Sequence, residues 1–499
     1  RAPERRRVLG GGDCPEGSLR LRVRVRLAPP AAHPGKDRTS RESISDSLTT
    51  YAASLTFQDL PPEVVHQAKR LWVDTLGCAI GGLSSEPARM ARDLARGVTS
   101  DRPATILGSG RQTTPDLAAF ANGVAIRYMD YNDTYTGSEL GHPSDHLAAI
   151  LAAGEVARAS GKDAIVATVL AYELFCRLCD AVIVRDRGFD YATLGTVSSV
   201  LATAKLLDLP SEQMTQALNL AVAPNIALFQ TRVGDVSMWK GCAFANVSRN
   251  ALFAAMLASR GLTGPSPIFE GRGGFFRAIV GGEFTLDPFG GNGNAFKVME
   301  SSMKRYPLGH LSQTVVEAAM QVRPQVPRLD EIASVEVQTL QAAIDIMAGD
   351  SQKWHPTNRE TADHSMPYST AVALMHGAVE ERHFGDEYLG NSALLDLVQK
   401  VRVSVSEEAN RRWPEAMLSI VTVTTTSGDT YSAEVPFHRG HWKNPMSDRE
   451  VEEKFHSLTD GHLTSDQSAA LLDKLWSLEG VQDIGEVVRM VQVDDGKDA

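Results

Sequence analysis

Cysteine is scarce in this chain. Five thiols among 499 residues, at Cys14, Cys78, Cys176, Cys179 and Cys242, are too few and too unevenly spaced for a disulfide framework, which points to a reducing compartment. Cys176 and Cys179 form a C-x-x-C inside AYELFCRLCDAV, a stretch that reads as buried helix. No second such pair exists to complete a zinc site, and an iron–sulfur centre would lack a third ligand. Long hydrophobic runs are also missing. Nothing approaches the ~18–20 consecutive apolar residues of a membrane span; residues 217–229 come nearest and are broken by Asn219, Pro224 and Asn225. Positive charge is not in excess: the net charge is -11, which argues against a nucleic-acid partner, since phosphate binding needs a concentrated basic surface. It does not exclude an anionic substrate, because a few cations focused in a cleft outweigh the remote field. The Gly-rich stretches EGRGG (270–274) and GGNGN (290–294) neither follow a strand nor open a helix, so they read as loops rather than a dinucleotide fingerprint. No His/Cys/carboxylate group has metal-ligand spacing, so neither metal nor cofactor is expected.

What is present is ordinary globular composition, 43% hydrophobic and 22% charged, in a chain too long for one simple core. Residues 1–42 stand apart as an Arg-, Pro- and Gly-rich segment containing LRLRVRVRL, read as a disordered basic extension. If it is a targeting segment, the compartment is mitochondrial; otherwise the cytoplasm is expected. From about Ser43 helical periodicity takes over. In 62–80, Val65, Ala68, Leu71, Trp72, Thr75, Leu76 and Ala79 recur at three- and four-residue steps, between the prolines Pro61 and Pro62 and the glycines Gly81 and Gly82. Further Ala- and Leu-rich helices are predicted at about 145–159, 163–183, 193–207, 211–223 and 244–260. After about residue 300 the character changes. SVEVQTL (334–340), KVRVSVS (400–406) and the hairpin pattern of 418–435 around Ser427-Gly428-Asp429 are alternating β-branched runs, with helices at about 311–322 and 369–380. Residues 447–459 and 465–477 return to helix. The fold class is therefore mainly α with an α+β part. A large helical domain (43–300) carries a smaller α+β lid (301–443), inserted before C-terminal helices (444–486) and a tail (487–499).

Four segments concentrate groups that can do chemistry. MDYNDTYTGSELGHPSDH (129–146) holds Asp130, Asp133, Thr134, His142, Asp145 and His146. Asp130 and Thr134 are four apart and would share a face on a helical turn; His142 lies in a stiff Gly-His-Pro loop. Elimination of water needs a base for a carbon-bound proton and an acid for the hydroxyl, and an imidazole oriented by a carboxylate serves either task. The competing reading is N-capping by Asp and Thr beside a surface histidine. VSMWKGCAFANVSRN (236–250) places Lys240 beside small residues, so it can approach a carboxylate closely or simply start a helix at the surface. MKRYPLGH (303–310) brings Lys304, Arg305 and His310 around Pro307, an anion site or a solvated basic loop. TADHSMPYSTAVAL (361–374) sets His364 and Tyr368 at i and i+4, where a tyrosine hydroxyl can donate to a leaving group or cap packing.

Taken in order, KRLWVDTLGCAIGG (69–82), MDYNDTY (129–135), GHPSD (141–145), SMWKGCAFANVSRN (237–250), GPSPIFEGRGGF (264–275), KRYP (304–307), ADHSMPY (362–368) and NPMSDREVEEKF (444–455) resemble the MmgE/PrpD family, whose members include 2-methylcitrate dehydratase and cis-aconitate decarboxylase. The resemblance covers roughly residues 45–485. It implies a cleft between a helical domain and a lid, a cofactor-free reaction on a small polycarboxylate, and pairing of two chains through the helical domain, whose Ala-rich helices also offer more apolar face than one bundle needs. It implies a catalytic set of His142, Asp130, Lys240 and Tyr368. His142 would transfer the proton, Asp130 would hold its imidazole, Lys240 would neutralise a substrate carboxylate, and Tyr368 would assist the leaving hydroxyl from the lid. Thr134, Lys304, Arg305, His310 and Tyr191 are the expected substrate-binding residues. One departure stands out: near Gly188-Phe189 the family often has a histidine, where this chain has Asp190 and Tyr191. The expected activity is a hydro-lyase on 2-methylcitrate or a similar tri- or dicarboxylate. The alternatives are a decarboxylase of the cis-aconitate type and a non-catalytic carboxylate-binding or scaffold protein of the same fold.

Overall fold

The computed structural model describes residues 43–493. The basic N-terminal segment, Cys14 and the last six residues of the expected tail lie outside them. Among the described residues, nine helices form the first part: α1 (Ile44–Ser54), α2 (Pro62–Gly82), α3 (Glu86–Arg96), α4 (Pro115–Tyr128), α5 (Leu147–Ala157), α6 (Gly161–Ala181), α7 (Ala192–Leu206), α8 (Ser211–Val222) and α9 (Trp239–Ala258). Two-residue hairpins interrupt them, β1 (Ala104–Thr105) with β2 (Gln112–Thr113) and β3 (Tyr135–Thr136) with β4 (Leu140–Gly141). α2 begins with Pro62 in its first turn, where a missing N–H costs nothing. Cys176 and Cys179 are fully buried in α6, and burial raises both thiols well above their usual pKa, as expected of core side chains.

The chain then passes through α10 (Gln313–Val322), β5 (Ile332–Thr339), α11 (Gln341–Met347), α12 (Arg359–Ala362), α13 (Met366–His376), α14 (Asp386–Leu389), α15 (Ser392–Lys400), β6 (Val401–Val405), α16 (Glu407–Arg412), β7 (Ser419–Thr425) and β8 (Thr430–Val435). The four long strands make one sheet in the order β6-β5-β7-β8, with β5 and β6 parallel and the other pairs antiparallel. Gly428, at φ +92°, allows the β7–β8 turn that Ser427-Gly428-Asp429 suggested. The fold is mainly α with an α+β part, as the periodicities predict. α17 (Asp448–Thr459), α18 (Ser465–Trp476) and α19 (Gly485–Met490) complete the chain.

Most buried apolar residues fall into two large clusters. One runs from Leu48 to Met303 and is rejoined by residues of α17, α18 and α19; the other spans Leu308 to Val435 around the sheet. Residues 487–493 are no tail: Val487, Val488 and Val491 are buried in the first cluster, and Val493 N–H donates to Gly108 O at 2.8 Å. Lys454 on α17 is the anchor of this return. Its ammonium lies 2.6 Å from the buried Asp74 carboxylate on α2 and donates to the carbonyls of Tyr131 and Lys304, at 2.8 and 2.9 Å. It thereby ties both parts of the chain to the loop that carries Asp130.

Candidate active site

α4 and α9 cross so closely that a Cβ on Gly123 would lie 2.9 Å from the Ala245 backbone. That contact needs glycine on α4 and a small residue on α9, and it sets how closely the end of α4 approaches the start of α9. α4 delivers Arg127, and the start of α9 delivers Lys240 beside it. α4 ends at Tyr128, and Asp130 takes φ +51°, a left-handed conformation that Asp tolerates better than most residues. The 129–134 segment is therefore an irregular turn rather than helix, so the spacing of Asp130 and Thr134 does not put them on one face.

Asp130 is fully buried among the cations of Arg127, Lys304 and Lys240 and the imidazole of His364. Arg127 Nη1 donates to its Oδ1 at 2.8 Å, Lys304 Nζ donates to the same oxygen and to the Asp130 carbonyl, His364 Nδ1 lies 3.2 Å from Oδ2 and Lys240 Nζ 3.7 Å from it. Burial raises its pKa, but Arg127, Lys304, His364 and Lys240 together outweigh that and hold the carboxyl well below its ordinary range. Beside it, Asp363 accepts from Lys240 Nζ at 2.6 and 2.8 Å, from Arg359 Nη1 at 3.0 Å and from His364 Nδ1 at 2.7 Å. Asp130, Asp363 and His364 offer ligand atoms within 4.8 Å of one another, the spacing of a metal site. The Lys240 ammonium already bonds both oxygens of Asp363 and approaches Asp130, so the chain supplies its own cation there. Activity should accordingly survive EDTA; a loss restored by one added metal would refute this assignment.

His142 is held by backbone, not by Asp130. Its Nδ1 donates to Asp133 O at 2.7 Å, with Thr134 Oγ1 at 3.2 Å, leaving Nε2 as the free lone pair. Asp133 braces this loop through Ser144 N–H, Tyr172 OH and Ser301 Oγ, at 2.9, 2.8 and 2.6 Å. Burial, then Arg127 and Lys304, push the His142 pKa well below its usual value, so the imidazole is neutral. His146 is structural: its ring nitrogens meet Pro143 O and Ser198 Oγ, both at 2.6 Å.

His142, Asp130, His310, His364 and Tyr191 line one cleft, together with Arg127, Arg185 and Arg232. Each arginine has a carboxylate partner in the lining: Asp130 for Arg127, Glu139 for Arg185 and Asp190 for Arg232, each at 2.8 Å. The Asp190-Tyr191 departure thus acquires definite partners. Asp190 fixes Arg232, whose guanidinium sits 5.0 Å over the Tyr191 ring, and Tyr191 OH donates to Asp145 at 3.0 Å. His310 Nε2 meets Thr136 Oγ1 at 3.2 Å, while its buried Nδ1 has no partner among the described residues.

Several expected site residues do not reach the cleft. Tyr368 is buried beside the sheet, its hydroxyl donating to His383 O at 2.8 Å. Ser365 caps α13 through the Tyr368 N–H, so His364 precedes the helix and the two do not share its face. Lys240 is committed to Asp363, Lys304 is buried against Asp130, and Thr134 supports His142 from behind. Arg305 points away, half-exposed and 3.5 Å from Glu450. The three arginines were missed by sequence reasoning. Only Arg127 carried a signal, three residues before Asp130 at a helix end; Arg185 and Arg232 sit in single 3-10 turns too short to show a pattern.

The MmgE/PrpD N-terminal domain matches residues 46–287, and the MmgE/PrpD C-terminal domain matches residues 306–478. Human cis-aconitate decarboxylase is 25% identical over 90% of this chain and 95% of its own length. The mitochondrial 2-methylcitrate dehydratase of Yarrowia lipolytica is 26% identical over 74% of this chain and 72% of its own, and the 2-methylcitrate dehydratase of Escherichia coli (strain K12) 27% over 73% and 79%. With both domains matched across most of its length, and the matched segments meeting in one cleft of histidines and arginines, the chain belongs to the MmgE/PrpD family.

Proposed function

We propose that this chain is a metal-independent lyase that removes water from 2-methylcitrate or a close relative. The observation that carries the proposal is His142, whose Nδ1–H is committed to the Asp133 carbonyl so that Nε2 enters the reaction as a base. Nε2 takes a proton from the carbon next to a substrate carboxylate, and the electron pair of that bond becomes the new C=C. The C–O bond breaks, and the hydroxide leaves as water with the proton returned from the same imidazole. Arg127, Arg185 and Arg232 seat the carboxylates and stabilise charge that develops on them. His364 donates its Nδ1 proton to Asp363, leaving Nε2 to accept a hydrogen bond from the substrate hydroxyl. Incubation with 2-methylcitrate should raise ultraviolet absorbance as a conjugated alkene forms. A silent trace with 2-methylcitrate and citrate alike would favour a binding role without catalysis.

Decarboxylation of cis-aconitate is the second reading, favoured by the match to the human decarboxylase over 90% of the chain. That reaction ends with a proton delivered to carbon, so an imidazole serving it starts protonated. The neutral state of His142 favours elimination. The pH profile separates the two. Because burial, Arg127 and Lys304 lower the His142 pKa, the base form persists on acidification, and the acid limb of kcat/KM should fall below pH ~6.5, the unperturbed imidazole value. Activity that instead declines as pH rises through neutrality would identify a required imidazolium.

The chain is also proposed to work as a homodimer. Ile226, Leu228, Trp239 and Phe253 are exposed, the last two on α9 itself, and a second copy of the chain would cover them. Light scattering should give about twice 53.9 kDa; a stable monomer at micromolar concentration would contradict the pairing.

A further inference from the structure

Beyond its histidines and ion pairs, the cleft is apolar. α11 contributes Ala342 and Ile346, which share a helix face, with Met347 beside them, and Leu140, Phe229 and Trp413 join them. Except for Met347 these side chains are only half-buried, so their uncovered surface faces the space where a substrate sits. The polar lining, meanwhile, is largely self-neutralised, since Arg127, Arg185 and Arg232 each face a carboxylate of the chain. A tricarboxylate with no alkyl arm, or only a methyl one, would leave much of this apolar surface uncovered. A substrate with carboxylates at one end and a hydrocarbon arm at the other satisfies both parts of the lining.

We propose that the α11 face, with Leu140, Phe229 and Trp413, is a subsite for an alkyl arm longer than methyl, so that the substrate class is 2-alkyl-substituted citrate-like acids. This rests on the lyase reading above. Burying one more methylene against this surface raises kcat/KM about fourfold, so a butyl arm should exceed a methyl arm roughly 60-fold.

The test uses the full chain with citrate homologues bearing 2-methyl, 2-butyl and 2-hexyl arms, read both as turnover and as ligand-induced shifts of the thermal midpoint. The expected result is kcat/KM and thermal shift both rising from methyl to butyl. Ile346→Ser should cut the butyl-to-methyl ratio of kcat/KM at least about fivefold by removing apolar contact from the subsite. Turnover of the methyl compound with no gain for butyl would overturn the subsite, as would an Ile346→Ser ratio equal to wild type. Absence of turnover with all three compounds would defeat the lyase reading instead. The subsite would then stand or fall on whether butyl binding shifts the midpoint further than methyl.

Discussion

Replacing His142 with alanine is expected to lower kcat by about 10²–10⁴-fold, the usual contribution of a positioned acid–base group. The change should leave the thermal midpoint nearly intact. The imidazole contributes one hydrogen bond to a carbonyl and edge contact with Tyr191, with ring centroids 5.4 Å apart, while the loop around it is braced independently by Asp133 and its partners. KM should move little, because the arginines proposed to seat the substrate keep their own partners. An alanine enzyme retaining more than about half of wild-type kcat would remove His142 from the chemistry and point to His310 or His364. A collapsed midpoint would make it structural.

Asp130→Ala should do the reverse and act first on the fold. The carboxylate is buried between Arg127 and Lys304, with Lys240 and His364 nearby. Removing it leaves those cations desolvated and mutually repelling, and breaking a buried pair on one side typically costs about 3–5 kcal/mol. The urea midpoint should drop accordingly, and activity should fall because Arg127 loses its orientation. The Lys304 pKa, already pushed down to about 8 by burial, is supported mainly by Asp130; without that support Lys304 should shed its proton at still lower pH. A midpoint shift no larger than that of a surface substitution would show that the cage relaxes by admitting water.

The helices of this protein were readable because burial and periodicity coincide. The prolines and glycines around 62–82, the Ala-rich stretches and the alternating runs of the sheet each state their own structure, and the structure places them within a few residues of the prediction. α3 and α4 were not read: α4 is apolar nearly all round because it is buried, which blurs the period, whereas α3 does carry a helical period, with Ala88, Ala91 and Ala95 on its buried face. The site was legible in part. Asp130 and His142 lie in a segment too polar for a core, and both do line the cleft. Their relation was not legible, since it depends on a left-handed Asp130 and on a backbone carbonyl, neither of which leaves a mark in residue spacing. Tyr368 shows the opposite error. At i+4 from His364 it looked like a site residue, but Ser365 caps the helix between them and sends the tyrosine into the sheet core. The arginines escaped notice because a cation acquires meaning only from the carboxylate across the cleft.

Mass analysis of the product formed from 2-methylcitrate distinguishes elimination from decarboxylation. The expected result is loss of one water to give a single unsaturated tricarboxylate, with the same reaction slowed by about 10²–10⁴-fold in His142→Ala. Loss of carbon dioxide from cis-aconitate, with 2-methylcitrate left unchanged, would make the chain a decarboxylase and not a dehydratase.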